Sequence, residues 1–461
     1  MSNEATLRFL PLSDGKQPLF MWILMFIVKR ISDPLFAGRI LSVTSGLGTM
    51  VGVSVLSYIF TKTKKVALIT ALIYALNPFV FFFDRLALVD SMLAMFGVWT
   101  FIFAVLTAKT RRLDMTMITG FFLGFAMLTK STAMFFMILL PSTWVFIKDK
   151  KELGKLILLN LIAVAIAFGM YNILRLGPNF NLIALRNQDY IYPLNHIFIS
   201  PFDPFMGHLG GVRKYFFLMG PISLVFLVIL GIYNDFKKNI EPIVSLLAWG
   251  VLPIVVTMEY FKVVTARYIL YTIPFFVVLG AFAFAGKSRL IQKLAYLGLF
   301  AFIIQSLFFD YKLLTNVAAA PLPQGERSGF LEEWTAGQGI REIADYIKDQ
   351  RLKIKDDKKI VVGTEGYFGT LPDGLQMYVQ RLDRVVVIGV GLGLDKVPDS
   401  LVQSKKSGNN TYLVINKSRL TGDPDKMGLK LISSFPKISR EVGSRDYKIN
   451  GPQEFLYFFE Y

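Results

Sequence analysis

The chain has 461 residues, 54% of them apolar and 14% aromatic, with a mean hydropathy of +0.50, which excludes a wholly soluble protein. Its net charge of +17 would suit nucleic acid, but the basic residues stand in short runs between apolar blocks. A membrane protein marks its cytoplasmic side in this way, so membrane lipids are the expected surroundings and no nucleic acid is expected as a partner. With no cysteine, disulfides and thiolate chemistry are excluded.

The first apolar run, Pro18 to Val28, is too short to span and follows polar residues rather than a basic n-region, so it is not a cleavable signal. Arg8, Lys16, Lys29 and Arg30 surround it. Residues 1–36 are therefore expected to form an extracytoplasmic loop with an interfacial helix, following a span upstream of Met1. About ten spans are expected over 37–310, in apolar blocks near 37–61, 66–83, 91–108, 115–129, 131–147, 156–174, 216–234, 240–258, 267–286 and 294–310. Five alternate links carry the basic excess: Lys62 to Lys65, Lys109 to Arg112, Lys148 to Lys155, Lys237 and Lys238, and Lys287 to Lys293. The positive-inside rule places these links in the cytoplasm of a multi-pass plasma-membrane protein. The 84–90 link, Lys130, the 175–215 loop, the 259–266 link and the C-terminal region then face outward.

Residues 311–461 read as a soluble extracytoplasmic α/β domain. An amphipathic helix is predicted over Thr335–Gln350, and strands over Lys359–Gly363, Arg384–Gly389, Thr411–Asn416 and Glu454–Tyr461. The fold class is thus a polytopic all-α transmembrane domain followed by a soluble α/β domain.

Ionisable groups near spans are costly, which makes them functional candidates. The outward side gathers Asp14 and Lys16, Asp84 with Arg85, Asp90, Lys130, the loop histidines His196 and His208, and Arg267-Tyr268. Carboxylates there could deprotonate an acceptor, and the cations could hold a phosphate. Bland readings stand beside these. Lys16, Lys130 and Arg267 could snorkel, and Asp90 could be a helix cap. The two histidines lack metal-ligand spacing, and Gly48 with Gly52 reads as a helix-packing face.

In order along the chain, Gly15-Lys16-Gln17-Pro18-Leu19-Phe20, Arg39-Ile40, Arg85 to Asp90-Ser91, Leu128-Thr129-Lys130-Ser131 and Arg267-Tyr268-Ile269-Leu270 resemble the GT-C glycosyltransferases. The nearest are the family-39 protein O-mannosyltransferases and the bacterial aminoarabinose transferases acting on lipid A. Trp334-Thr335-Ala336-Gly337-Gln338-Gly339 resembles the start of the C-terminal domain in many members. The resemblance implies a polyprenyl-phosphate sugar donor and transfer at the outer face to a lipid, glycan or protein. It implies that Lys16 and Arg267-Tyr268 face the lipid phosphate with help from Lys130, and that Arg85 and Asp90 line the donor pocket. His196 is counted with the substrate-binding set. A carboxylate in the first outer loop would be the base. The family's first span and the acidic pair after it are not recognisable here: Asn3-Glu4-Ala5 is only faintly similar to that motif and lies too close to Lys16, and Asp14 is the only other nearby acid. No cofactor is implied with certainty, and a divalent metal is left open. Two other classes compete: an inactive or truncated relative serving as a membrane binding or assembly protein, and a secondary transporter. A transporter would place its charges at the midplane of two related halves, whereas these charges lie at one interface.

Overall fold

The computed structural model describes residues 15–461 apart from 237–239, 287 and 355–356. The chain divides into two compact units, Met1–Pro323 and Gln324–Tyr461. The described part of the first is helical. After a short apolar helix, α1 (Leu19–Val28), come α2 (Pro34–Thr61), α3 (Lys64–Leu76), α4 (Pro78–Asp84), α5 (Asp90–Thr110) and α6 (Leu113–Thr129). They are followed by α7 (Met134–Leu139), α8 (Leu153–Asn172), α9 (Asn181–Tyr190), α10 (His196–Ile199) and α11 (Phe205–Leu218). The unit closes with α12 (Ile222–Asp235), α13 (Ile240–Tyr260), α14 (Ile273–Ala281) and α15 (Arg289–Thr315).

All ten predicted apolar blocks are helical. Among the described residues six helical stretches are long and apolar enough to cross a membrane, and two bent pairs bring the number to as many as eight. The blocks at Leu113–Thr129 and Ser131–Phe146 are shorter apolar helices. Two differences from the sequence reading stand out. The last helix runs to Thr315, past the boundary drawn at residue 310, because Tyr311 and Lys312 continue its pattern without a breaker. The 175–215 stretch is largely helical rather than an open loop.

Helix ends follow local chemistry. Asp33 caps α2 by accepting from the Phe36 amide, with Pro34 preset at the first helical position. Asn77 caps α4 in the same way, accepting from Phe79 at 2.9 Å. Pro78 cannot continue α3, and the chain bends by 60° there. Helix α2 meets α5 through the predicted glycine face. A Cβ on Gly48 would stand 2.5 Å from Met95 Sδ, and one on Gly52 2.8 Å from Val98 Cγ1. Trp99 Nε1 donates to the Gly48 carbonyl across this seam. An aromatic core fills the centre, where Trp249 packs on Phe101, Phe136 and Phe275 at centroid distances of 4.9, 5.5 and 5.5 Å.

The second unit is a five-stranded mixed sheet with helices. In chain order it contains α16 (Gln324–Arg327), α17 (Ile340–Lys353), β1 (Ile360–Thr364), α18 (Asp373–Val379), β2 (Val385–Gly389), α19 (Asp399–Lys406), β3 (Asn410–Asn416), β4 (Lys430–Pro436), α20 (Arg445–Asn450) and β5 (Phe455–Glu460). The strand order is β2-β1-β3-β5-β4, parallel among the first three and antiparallel beyond. Strand β4 was not predicted from sequence. It is an edge strand with a register shift between Leu431 and Ser433, and most of its residues are exposed, so its apolar signal is weak. Helix α17 starts five residues later than predicted because Gly339 holds φ +88, where a Cβ would strike the Phe435 ring at 2.6 Å.

Candidate active site

Helix α5 begins at Asp90, which is buried, and α6 ends so that Lys130 follows it in extended conformation (φ −161, ψ 145). These two antiparallel helices bring residues 40 positions apart together: Lys130 Nζ lies 2.5 Å from Asp90 Oδ1. Lys130 Nζ also lies 4.8 Å from the centroid of the Tyr268 ring, and the Arg267 guanidinium is 5.3 Å from the same centroid. Two cations thus share one aromatic ring beside one carboxylate, leaving a net positive charge among the three.

The segment before α1 is fastened to this cluster. Gln17 is buried, and its Nε2 donates to Ser131 Oγ at 2.5 Å, next to Lys130. Gly15 permits the approach, since at φ +56 a Cβ would stand 2.3 Å from the Leu182 carbonyl oxygen of α9. Lys16, between them, presents an exposed side chain. Four separate stretches, 15–18, 90, 130–131 and 267–268, therefore meet at one end of the helices. At the other end of α5, Arg111 pairs with Glu152, and Lys109 lies 5.1 Å from the centroids of both Phe60 and Phe146. The basic links 109–112 and 148–155 thus share the end opposite to Asp90, in keeping with the alternating charge pattern.

The remaining predicted residues sit differently. Arg85 lies over the Phe81 ring at 5.0 Å, with Arg39 and Asp310 acting on it electrostatically. His196 stacks on Tyr192 at 4.1 Å and its Nε2 is 2.5 Å from the Asp203 carbonyl oxygen, so its contacts are with its own loop. Asp14 lies outside the described residues. Among the described residues no three His, Asp or Glu side chains converge as metal ligands.

Three buried carboxylates stand out more than their sequence positions suggested. Asp84, Glu259 and Asp310 each keep one oxygen without a hydrogen-bond partner in the protein. Asp84 faces Gly46 of α2, where a Cβ would approach Oδ2 to 2.1 Å, and Tyr74 Oη donates to it at 3.4 Å. Glu259 and Asp310 were passed over in the sequence because each is a lone acid near the end of an apolar run. The only available signal was the cost of a charge at that depth.

This helical architecture, with its polar cluster at the span ends and a separate α/β unit, is that of a multi-pass membrane protein, and its likeness to solved structures gives it the GT-C fold. Residues 15–173 match the profile of the dolichyl-phosphate-mannose-protein mannosyltransferase family. Among solved structures, the chain is similar to ArnT from Cupriavidus metallidurans. Bound to undecaprenyl phosphate, that protein is 15% identical, with a TM-score of 0.60, over 99% of this chain and 91% of that one. In the apo state the identity is 13% and the TM-score 0.54, over 96% and 87%. No curated protein sequence gives a significant match.

Proposed function

We propose that the chain is a membrane glycosyltransferase that moves a sugar from a polyprenyl-phosphate carrier to a lipid, glycan or protein acceptor at the outer face of the membrane. The observation that carries this reading is the pairing of Asp90 with Lys130 beside Arg267 and Tyr268, at the end of the helices opposite the basic links. A polyprenyl phosphate would place its tail in lipid and its charged head at this depth. Lys130 and Arg267, with Lys16 on the neighbouring segment, would hold the phosphate, and its departure from the anomeric carbon would be favoured by the charge they supply. Asp90 Oδ1 orients the Lys130 ammonium. Its second oxygen would be the carboxylate that takes the acceptor proton, with Asp14 on the segment leading into Gly15 a second source of base. Arg85 would border the donor pocket and His196 the acceptor approach. The profile match over 15–173 and a structural relative seen with undecaprenyl phosphate support a polyprenyl-linked donor. The soluble unit, extracytoplasmic in this topology, would help to capture the acceptor.

The direct test is to incubate membranes holding the full chain with polyprenyl-phosphate sugars labelled in the sugar. Label leaving the lipid, and doing so far more slowly with Asp90→Asn and Lys130→Ala, is the expected result. Retention of every label on its carrier, with donor binding intact, would favour a binding or assembly role.

A further inference from the structure

Residues 194–218 carry, apart from His196, an apolar surface that the Asp90–Lys130 cluster does not use. At the tip, Leu194, Phe198, Ile199 and Phe202 are exposed, Phe198 by 86% and Phe202 by 63%. Helix α11 continues the surface. Met206, Leu209, Arg213 and Phe217 recur at helical spacing and are all exposed, so they form one stripe, with Lys214 exposed beside it. The opposite side is fixed to protein: Val212 and Tyr215 are buried, His208 Nδ1 lies 2.9 Å from the Met258 carbonyl oxygen, and Tyr215 Oη donates to the Val264 carbonyl at 2.9 Å. The stretch before the tip is pinned to the end of α13, with Tyr192 donating to the Tyr260 carbonyl at 2.7 Å and Lys262 to that of Tyr190 at 2.8 Å.

The orientation of α11 decides what this surface meets. It is bent by 92° from α12, too sharply for the two to form one straight span. With α12 near the membrane normal, α11 lies in the membrane plane, at the level where α13 ends. An in-plane helix whose exposed stripe is apolar apart from Arg213, which can reach up to the head groups, with Lys214 beside it, has the form of an interfacial anchor, whereas so large an apolar face is rare against water.

We propose that residues 194–218 insert into the lipid–water interface on the side of the Asp90–Lys130 cluster. Phospholipid is their ligand: acyl chains meet Phe198, Ile199, Phe202, Met206 and Leu209, and anionic head groups meet Arg213 and Lys214. The anchor also has a positioning role. Its inner side holds Val264, two residues before Ala266 opens the turn that carries Arg267 and Tyr268. The depth of the interface is thereby passed to the cations of the cluster.

The chain has no cysteine, so single labels need no background removal. Nitroxides would be placed at Phe198→Cys, Phe202→Cys and Leu209→Cys in the full chain, reconstituted in vesicles of phosphatidylethanolamine and phosphatidylglycerol. Leu352→Cys, on an exposed residue of the soluble unit, serves as the aqueous control. Collision with a water-soluble nickel chelate should be several-fold rarer at the three tip and stripe positions than at 352, and collision with oxygen more frequent. Nickel access equal to that at 352 overturns the proposal. So does a label immobilised and shielded from both reagents, which would mean that a protein covers the face. Neither readout depends on sugar transfer, so failure here would leave the proposed activity standing.

Discussion

The Lys130–Asp90 pair separates a structural role from a phosphate-binding one. The Asp90 side chain is 3% exposed and that of Lys130 21%. Lys130→Ala would leave a buried carboxylate without its counter-ion, a loss of about 3–5 kcal/mol for a fully buried pair, with the lower end expected here because lysine is partly solvated. Removing both charges, as in Asp90→Leu with Lys130→Met, leaves no such charge, so stability should return to within about 1 kcal/mol of the native chain. Binding should not return. At a polyprenyl phosphate concentration about 100 times the native Kd, the ligand stabilises the native chain by about 2.7 kcal/mol, and a hundredfold weaker site retains only about 0.4. Thermal unfolding of purified chain, with and without polyprenyl phosphate, reads both quantities. The single variant should melt early, and the double variant should melt normally but respond weakly to ligand. A double variant that recovers the full ligand-induced shift would show that the pair only holds two helices together.

Arg267→Ala should weaken donor binding by about ten- to a thousandfold, and Arg267→Lys should rescue it only in part if the contact is bidentate. Full rescue by lysine would favour snorkelling. A reporter active only in the cytoplasm, fused after Tyr461, should stay silent, and strong activity there would invert the topology. Gly46→Ala should destabilise by about 1–3 kcal/mol, because its Cβ would meet the buried Asp84 carboxylate at 2.1 Å, whereas Gly169→Ala, with open space around it, should cost nothing by the same melting assay. Lys437 in the soluble unit is pushed down to about 8 by burial, against the pull of Glu454, Glu365 and Glu333. Between about pH 8 and its ordinary value near 10.4 the unfolded chain then binds more protons at this residue, so its contribution to stability rises with pH, by up to about 3 kcal/mol. Amide exchange around Ala336, whose carbonyl accepts from Lys437 Nζ, should show opening that becomes rarer over that window after correction for intrinsic rate, and Lys437→Met should remove the trend.

The fold was legible where one physical rule dominates. Long apolar blocks must be helical in lipid, since no water is there to satisfy an exposed backbone, and all ten blocks are helices. The Gly48–Gly52 seam was legible for a related reason: small residues one turn apart on an apolar helix have no use but close packing. The fate of 175–215 was not. Its apolar and polar residues mix at short range, and the neighbours at Met258 and Val264 decide which face of α11 is covered. Strand β4 was missed for the complementary reason, since an edge strand gains its pairing from β5 rather than from its own pattern.

The site divides along the same line. Lys130, Asp90, Arg267 and Tyr268 were readable because charges beside spans are few, and each needs a partner or a ligand. Their nearness was expected only through the family resemblance, and the direct Asp90–Lys130 contact was not readable, because it depends on α5 and α6 being antiparallel neighbours. Arg85 shows the limit of this reasoning. It stands five residues before Asp90, yet it caps the end of α4, and its guanidinium lies over the Phe81 ring, where Arg39 and Asp310 act on it electrostatically. A basic residue close to a cluster in sequence can therefore serve a second one. Arg85 belongs with Arg39 and Asp310, and would border the proposed donor pocket from that second group rather than join the pairing of Lys130 with Asp90.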